Sequence, residues 1–191
     1  TDGKGVEQIT ETGVVAAGKE YAVDCIIYAS GFEVGTDFTR RAGFAATRAD
    51  GPMARQYLAD GIRTLAGTYD TRFPNMCPGQ KTQGANLISN SPHNLTEAAR
   101  TIAMVVRHTL DQGSTVEVTK DAQEAWIELL LSGEGGLIGS ADCTPGYYNN
   151  EGVDAGQAGA LFVGYPAGPS AYFSYLEGWR SSEQFEGLAF T

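Results

Sequence analysis

Histidine and cysteine are scarce in this chain, and its basic residues are outnumbered. Two histidines, His93 and His108, and three cysteines, Cys25, Cys77 and Cys143, stand among 191 residues. No two cysteines form a CxxC pair, so a zinc centre lacks soft ligands and the thiols read as reduced cytosolic cysteines. The 13 Lys and Arg against 23 Asp and Glu leave a net charge of −10. That balance argues against a nucleic-acid or anionic-membrane partner, because phosphate affinity comes from clustered cations. No apolar run reaches the roughly 20 residues of a membrane-spanning helix, and no signal peptide opens the chain. The expected compartment is therefore cytoplasmic. Missing too is any glycine-rich phosphate-binding fingerprint.

What is present is the composition of a globular protein, with 42% hydrophobic and 19% charged residues, enough for one or two domains. Glycine is abundant, 25 of 191 residues, and its scatter signals many tight turns. Residues 6–28 alternate as a β-meander, with turns at Thr12-Gly13 and Gly18-Lys19 before an apolar strand, Val23–Ala29. That strand runs into the small-residue turn Ser30-Gly31-Phe32. Weaker elements follow to Pro74, and "RFPNMC" (Arg72–Cys77) reads as a short strand.

The polar loop 79–94 leads into the clearest helix. Asn94 with Glu97 three later suggests a capping box. Leu95, Ala98, Ala99, Ile102, Val105, Val106 and Leu110 fall on one face, and Gly113 stops the helix. A second helix is expected over 120–131, capped by Thr119, with Trp126, Leu129 and Leu130 inward. A long Gly-, Asn- and Tyr-rich loop follows Ser132. "ALFVGYPAG" then reads as a strand, "PSAYFSYLEGWRSSEQF" as an amphipathic stretch, and "EGLAFT" as a closing strand. The chain reads as complete at this end and truncated at the other.

The ordered set "DCIIYASGF", "DGIRTLAG", "RFPNMC", "SNSPHNLTEAAR", "CTPGYYNNEG" and "FEGLAFT" resembles the C-terminal part of a Baeyer–Villiger monooxygenase, a class B flavoprotein monooxygenase. The likeness runs through essentially all 191 residues. It implies an α/β fold, the C-terminal part of a flavoprotein with two Rossmann-like dinucleotide-binding domains, carrying a β-meander, two main helices and long loops. It further implies that residues 1–30 end the NADP-binding domain and 31–131 return to the FAD-binding domain. Residues 132–191 would form the NADP lid and the C-terminal segment. The cofactors implied are FAD and NADPH, with a ketone and O2 as co-substrates. The partner implied is an N-terminal portion of the same enzyme, holding both fingerprints and the catalytic arginine before Thr1.

Several residues acquire roles from that likeness, each beside a plainer reading. Ser30 and Gly31 would bring backbone close to a cofactor where the chain returns between domains, or form an ordinary turn. The backbone at Asn90 and Ser91 would meet the flavin ring at a helix N-terminus, or these residues with Asn94 merely cap the helix. Gln83, Gly84 and Asn86 would form a substrate-side loop, in a pattern similar to the branch accepting bulky ketones. Lys81 reads as solvated surface. Tyr147 and Asn149, with Asn150, would contact NADP from a mobile loop, or belong to a tyrosine-rich surface turn. His93 reads as a structural hydrogen-bonding residue, and His108 and Cys143 as non-catalytic. Two rivals to ketone oxidation stand: a heteroatom-oxidising flavin monooxygenase, and a non-catalytic binding domain built from the same fold piece.

Overall fold

The computed structural model describes residues 5–29, 43–48, 51–52, 61, 63–77, 83–85, 89–133 and 163–191. The meander comprises β1 (Gln8–Ile9), β2 (Gly13–Ala16) and β3 (Lys19–Ala22). The strands pair antiparallel in the order β1-β2-β3, with Val14 opposite Tyr21 and Val15 opposite Glu20. Ala17 and Gly18 close the second hairpin, both with positive φ (51° and 69°). This is the two-residue turn whose twist matches its strands, one residue before the expected position. A small hairpin, β4 (Thr47–Arg48) with β5 (Gly51–Pro52), follows.

Two expected strands are absent. Val23–Ala29 forms no strand, and its Ile27 and Tyr28 are 84% and 75% exposed. Its β-branched residues suit a sheet, but no neighbouring strand among the described residues offers it a ladder. Arg72–Cys77 is a chain of turns, with Phe73 N–H donating to Asp70 and Met76 N–H to Phe73. Local turn bonds there take the donors a ladder would need.

Helix α1 (Ser91–Gln112) begins one turn earlier than the capping-box reading implied, with Asn90 as cap. Asn94 is therefore inside the helix. Gly113 ends it as expected, at φ 61°, its N–H donating to Leu110 and Thr109 carbonyls. Helix α2 (Lys120–Leu131) matches its expected span, but Thr119 at the cap position makes no side-chain bond to the helix start; its hydroxyl donates to Gly187 O at 3.2 Å. Trp126, Ile127 and Leu130 point into the core, but Leu129 is 40% exposed. Helix α3 is Gly168–Ser181. Between α1 and α2 lies β6 (Val116–Val118), unforeseen in the sequence, which pairs antiparallel with the closing strand β7 (Leu188–Phe190). The described part of the "ALFVGYPAG" segment, from Val163, makes no regular strand.

One apolar core joins the three helices. Leu65, Tyr69, Val105, Trp126, Ile127, Leu130, Tyr172, Leu176, Trp179 and Phe185 pack together there. The buried side of α1, however, is Asn94, Glu97, Ala98, Thr101 and Val105, not the more apolar face. Arg180 of α3 sets that rotation. It donates to Glu97 Oε2 at 2.7 Å and to Thr101 Oγ1 at 3.2 Å, and both ion-pair side chains are 7% exposed. A buried charge left unpaired costs more than burying a few methyl groups gains, so the pair overrides the hydrophobic stripe. Leu95, Val106 and Leu110 are left exposed.

Burial pushes the Glu97 carboxyl up, but the hydrogen bond and charge of Arg180, with Arg100, outweigh it and hold the group below the usual carboxylate range. Glu97 therefore adds stability above its unfolded pKa of about 4.3, lost as pH falls through the lower folded value. Glu97→Ala should lower the unfolding free energy at neutral pH by less than the roughly 3–5 kcal/mol of a buried charge left wholly unpaired, because Arg180 keeps its bond to Glu177. In denaturant melts against pH, the variant's acid limb should also be flatter than that of the parent.

Candidate functional site

The segment Gln83–Ala85 lies wholly inside the core. Gln83 has a left-handed backbone, φ 60°, a conformation that costs a non-glycine residue of order 1–3 kcal/mol and persists only where its surroundings enforce it. Here they do. Its N–H donates to Val163 O at 2.7 Å, and its carbonyl accepts from Trp126 Nε1 at 3.1 Å. Its side-chain Oε1 accepts from Thr64 N at 2.9 Å and from Thr64 Oγ1 at 2.6 Å. Gly84 O next accepts from Tyr165 N at 2.8 Å. A Cβ on Gly84 would come 2.8 Å from the Tyr172 ring and hydroxyl, so only glycine lets the chain pass there.

Opposite this segment, Leu65 and Tyr69 exchange backbone hydrogen bonds of 2.7 and 3.1 Å around a tight turn. Tyr172 Oη closes the turn by donating to Ala66 O at 2.9 Å. Asp70, 1% exposed, accepts from Arg72 N and Nε at 2.8 and 3.0 Å. The core thus binds the turn, the Gln83 segment and α3 into one unit.

The chain then enters α1. Asn90 Oδ1 accepts from His93 N at 3.3 Å, Asn94 N–H reaches the Asn90 carbonyl at 3.1 Å, and Pro92 has no N–H to offer. Of the helix-start donors, Ser91 N–H is the one this cap does not use. No acidic residue occupies the first turn, so nothing local neutralises the positive end of the helix dipole. Ser89 Oγ donates to Asn94 Oδ1 at 2.5 Å, tying the preceding loop to the helix. His93 stacks edge-on against Phe173, with centroids 4.5 Å apart.

The phenols and the thiol packed in this core are made harder to ionise. Burial pushes the Tyr69 and Tyr172 phenols far above their ordinary value, and Tyr175 to about 12. Burial also raises the Cys77 thiol. Tyr69 Oη is buried with no hydrogen-bond partner. Such groups can shape and wall a site, but they cannot take up a proton near neutral pH. Among the described residues no cluster of His, Cys, Asp or Glu could hold a metal.

Of the residues singled out from sequence, Gln83 and Gly84 lie in the core and Asn90 and Ser91 at the start of α1. Ser30, Gly31, Asn86, Tyr147 and Asn149 lie outside the described residues, as do Lys81, Cys143 and Asn150. The clamp's other members, Thr64, Trp126 and Tyr172, were not anticipated. Trp126 carried the one usable signal, since a buried indole N–H needs an acceptor.

Comparison with known proteins adds a second line of evidence. No protein-family model matches the chain. It is 38% identical over 191 residues to the FAD-binding monooxygenase hmp7 of Hypomyces subiculosus, covering 98% of this chain and 31% of that protein. It is 36% identical over 188 residues to Baeyer-Villiger monooxygenase 4 of Dietzia sp., covering 97% of this chain and 30% of that one. The polycyclic ketone monooxygenase of Thermothelomyces thermophila superposes with a TM-score of 0.80 at 25% identity, over 100% of this chain and 31% of that structure. The chain spans about a third of the length of the curated relatives it matches.

Gly84→Ala should destabilise the protein by about 1–3 kcal/mol through overpacking against Tyr172. In a Tyr172→Ala background the added cost should largely vanish. A double-mutant cycle by chemical denaturation measures that coupling.

Proposed function

We infer, for a chain that is a relative of the Baeyer–Villiger monooxygenases along its whole length, that it is the part of such an enzyme that walls the flavin and ketone side of the active site. The observation that carries this reading is the match over nearly the whole chain, at 38% and 36% identity, to about one third of these enzymes. The whole enzyme would insert one oxygen atom of O2 into a ketone, reduce the other to water, and oxidise NADPH. Bulky, polycyclic ketones are the favoured substrate class, in keeping with the branch that the loop pattern resembles.

FAD would supply the oxygen-activating chemistry, with NADPH as reductant. The start of α1 fits an electron-rich ring edge. Its Ser91 N–H is not used by the cap, its first turn lacks acid, and Asn90 is exposed. Ser91 N–H and the Asn90 backbone would donate to and orient that edge, as helix N-termini favour negative charge. Buried, neutral Tyr69 and Tyr172, with half-buried Cys77, add no competing base to the neighbouring wall. Ser30 and Gly31 would approach a cofactor where the NADP- and FAD-binding regions meet. Tyr147 and Asn149 would contact NADP, and Gln83, Gly84 and Asn86 belong to the substrate-side loop.

The proposed divisions are residues 1–30, 31–131 and 132–191, although 163–191 share the core of 91–131, so the last division marks role, not packing. The exposed apolar residues of α1 and of 23–29 suit a chain that packs against more of the same enzyme. The described residues contain no helix long and apolar enough to cross a membrane, and dependence on NADPH agrees with a cytoplasmic enzyme.

The complete enzyme, purified, should carry the visible absorption of flavin and oxidise NADPH faster when a polycyclic ketone is added. With isotopically heavy dioxygen, the ester or lactone should gain one heavy oxygen per molecule. A colourless protein, or NADPH oxidation indifferent to every ketone, would remove the reading.

A further inference from the structure

We propose that the outward face of α1 is the seat of a second helix, supplied by a part of the same enzyme outside these 191 residues. Of the reading above, this rests only on the chain being one portion of a longer monooxygenase. Leu95, Ala99, Ile102, Val106 and Leu110 recur along α1 at steps of four, three, four and four residues. On a helix of 3.6 residues per turn they fall within about 80° of its circumference. With Ala103 beside them they make one stripe about 22 Å long, at ~1.5 Å per residue. All of them are exposed except half-buried Ile102. Single apolar residues on a surface are ordinary, whereas a continuous stripe of them marks a contact.

The stripe is not surplus core of this chain. The row that α1 turns inward, with Glu97, Thr101 and Val105, is centred about 130° away around the helix. The bonds from Arg180 to Glu97 and Thr101 favour that orientation, and turning the stripe inward would break them. So α1 has two faces to bury, and the described residues cover one. The chain spans only 31% and 30% of two relatives, so the greater part of such an enzyme lies elsewhere and is available to cover the other. The spacing selects the covering element. Steps of four and three are those of a seam packed at about 20° against a second helix. A strand would instead present a two-residue repeat. Ala99, with nothing beyond Cβ, leaves room in the middle of the seam for a larger side chain of the partner.

The test uses the complete enzyme, with the photo-crosslinking residue p-benzoylphenylalanine placed at Leu95 or at Leu110 and the links mapped by peptide mass spectrometry. Both positions should link, within one molecule, to a single segment outside residues 1–191. The two points should lie roughly 15 residues apart along that segment, the count that spans the stripe on a helix. On a strand the same span takes about seven. Thiol labelling of the folded enzyme gives a second readout. Above the parent's own background, Val106→Cys should react at least about tenfold more slowly than Arg107→Cys, which lies off the stripe.

Links to a second molecule would make this face an interface between copies, and links back to residues 1–191 would show that the chain covers it alone. Equal labelling at 106 and 107 would leave the stripe in water, and link points spaced as on a strand would remove the helix. Each of these results overturns the inference while leaving the function standing. Should the bulky residue prevent folding at Leu95, the same residue at Ala103, on the edge of the stripe, takes its place. A complete protein that gives the expected links but holds no flavin, or ignores every ketone, would support this inference and remove the functional reading.

Discussion

The buried pair between Glu97 and Arg180 is the interaction from which the arrangement of this chain follows. Arg180 lies on α3 and Glu97 on α1, and each is almost fully removed from water. Each has a second partner on its own helix, Arg100 for Glu97 and Glu177 for Arg180. The bond between the helices is the one in which both side chains are out of water, and it favours this rotation of α1 against α3. That rotation turns Thr101 inward to accept a further bond from Arg180 and turns Leu95, Val106 and Leu110 outward. It also decides where the first turn of α1 faces. A helix oriented by its hydrophobic stripe alone would present a different side, and the cap at Asn90 would point elsewhere.

A second constraint works along the chain instead of across it. The left-handed Gln83, gripped by Thr64, Trp126 and Val163, and the obligatory glycine after it, fix the backbone of 83–85 inside the core. The first device orients α1 against α3, and the second ties the 83–85 segment to Trp126 of α2 and Tyr172 of α3. Both are polar and buried, which makes the region rigid and specific at some cost in stability. The surrounding phenols of Tyr69, Tyr172 and Tyr175 are neutral, and burial pushes their ionisation further above its ordinary value. Together with the buried ion pair they make a densely bonded core behind the start of α1.

Much of this was legible in the sequence where the determinant is local. Helix α2, the glycine stop of α1 and the closing strand follow from periodicity and turn residues within a few positions of one another. The errors occur where a distant partner decides. The apolar run Val23–Ala29 has strand composition, but a strand needs a neighbour. The inward face of α1 was misjudged because Arg180, some eighty residues later, outweighs the hydrophobic count. The cap moved from Asn94 to Asn90 because Pro92 suits the first turn of a helix, a cue that favours the earlier start. At the site, the motifs drew attention to Gln83, Gly84, Asn90 and Ser91, while the clamp that holds them was hidden. Thr64 and Tyr172 gave no local sign of their bonds to Gln83 and Ala66. The likeness to one enzyme family, carried by motifs in order and not by any one of them, reached further than local pattern did.

The central claim is that the start of α1 meets the flavin, and a structure of the complete enzyme with FAD bound tests it directly. The account predicts the Ser91 N–H, or the backbone beside it at Asn90, at about 3 Å from an oxygen or nitrogen of the flavin ring. A flavin seated elsewhere, with Asn90 and Ser91 facing solvent or another part of the protein, would contradict it.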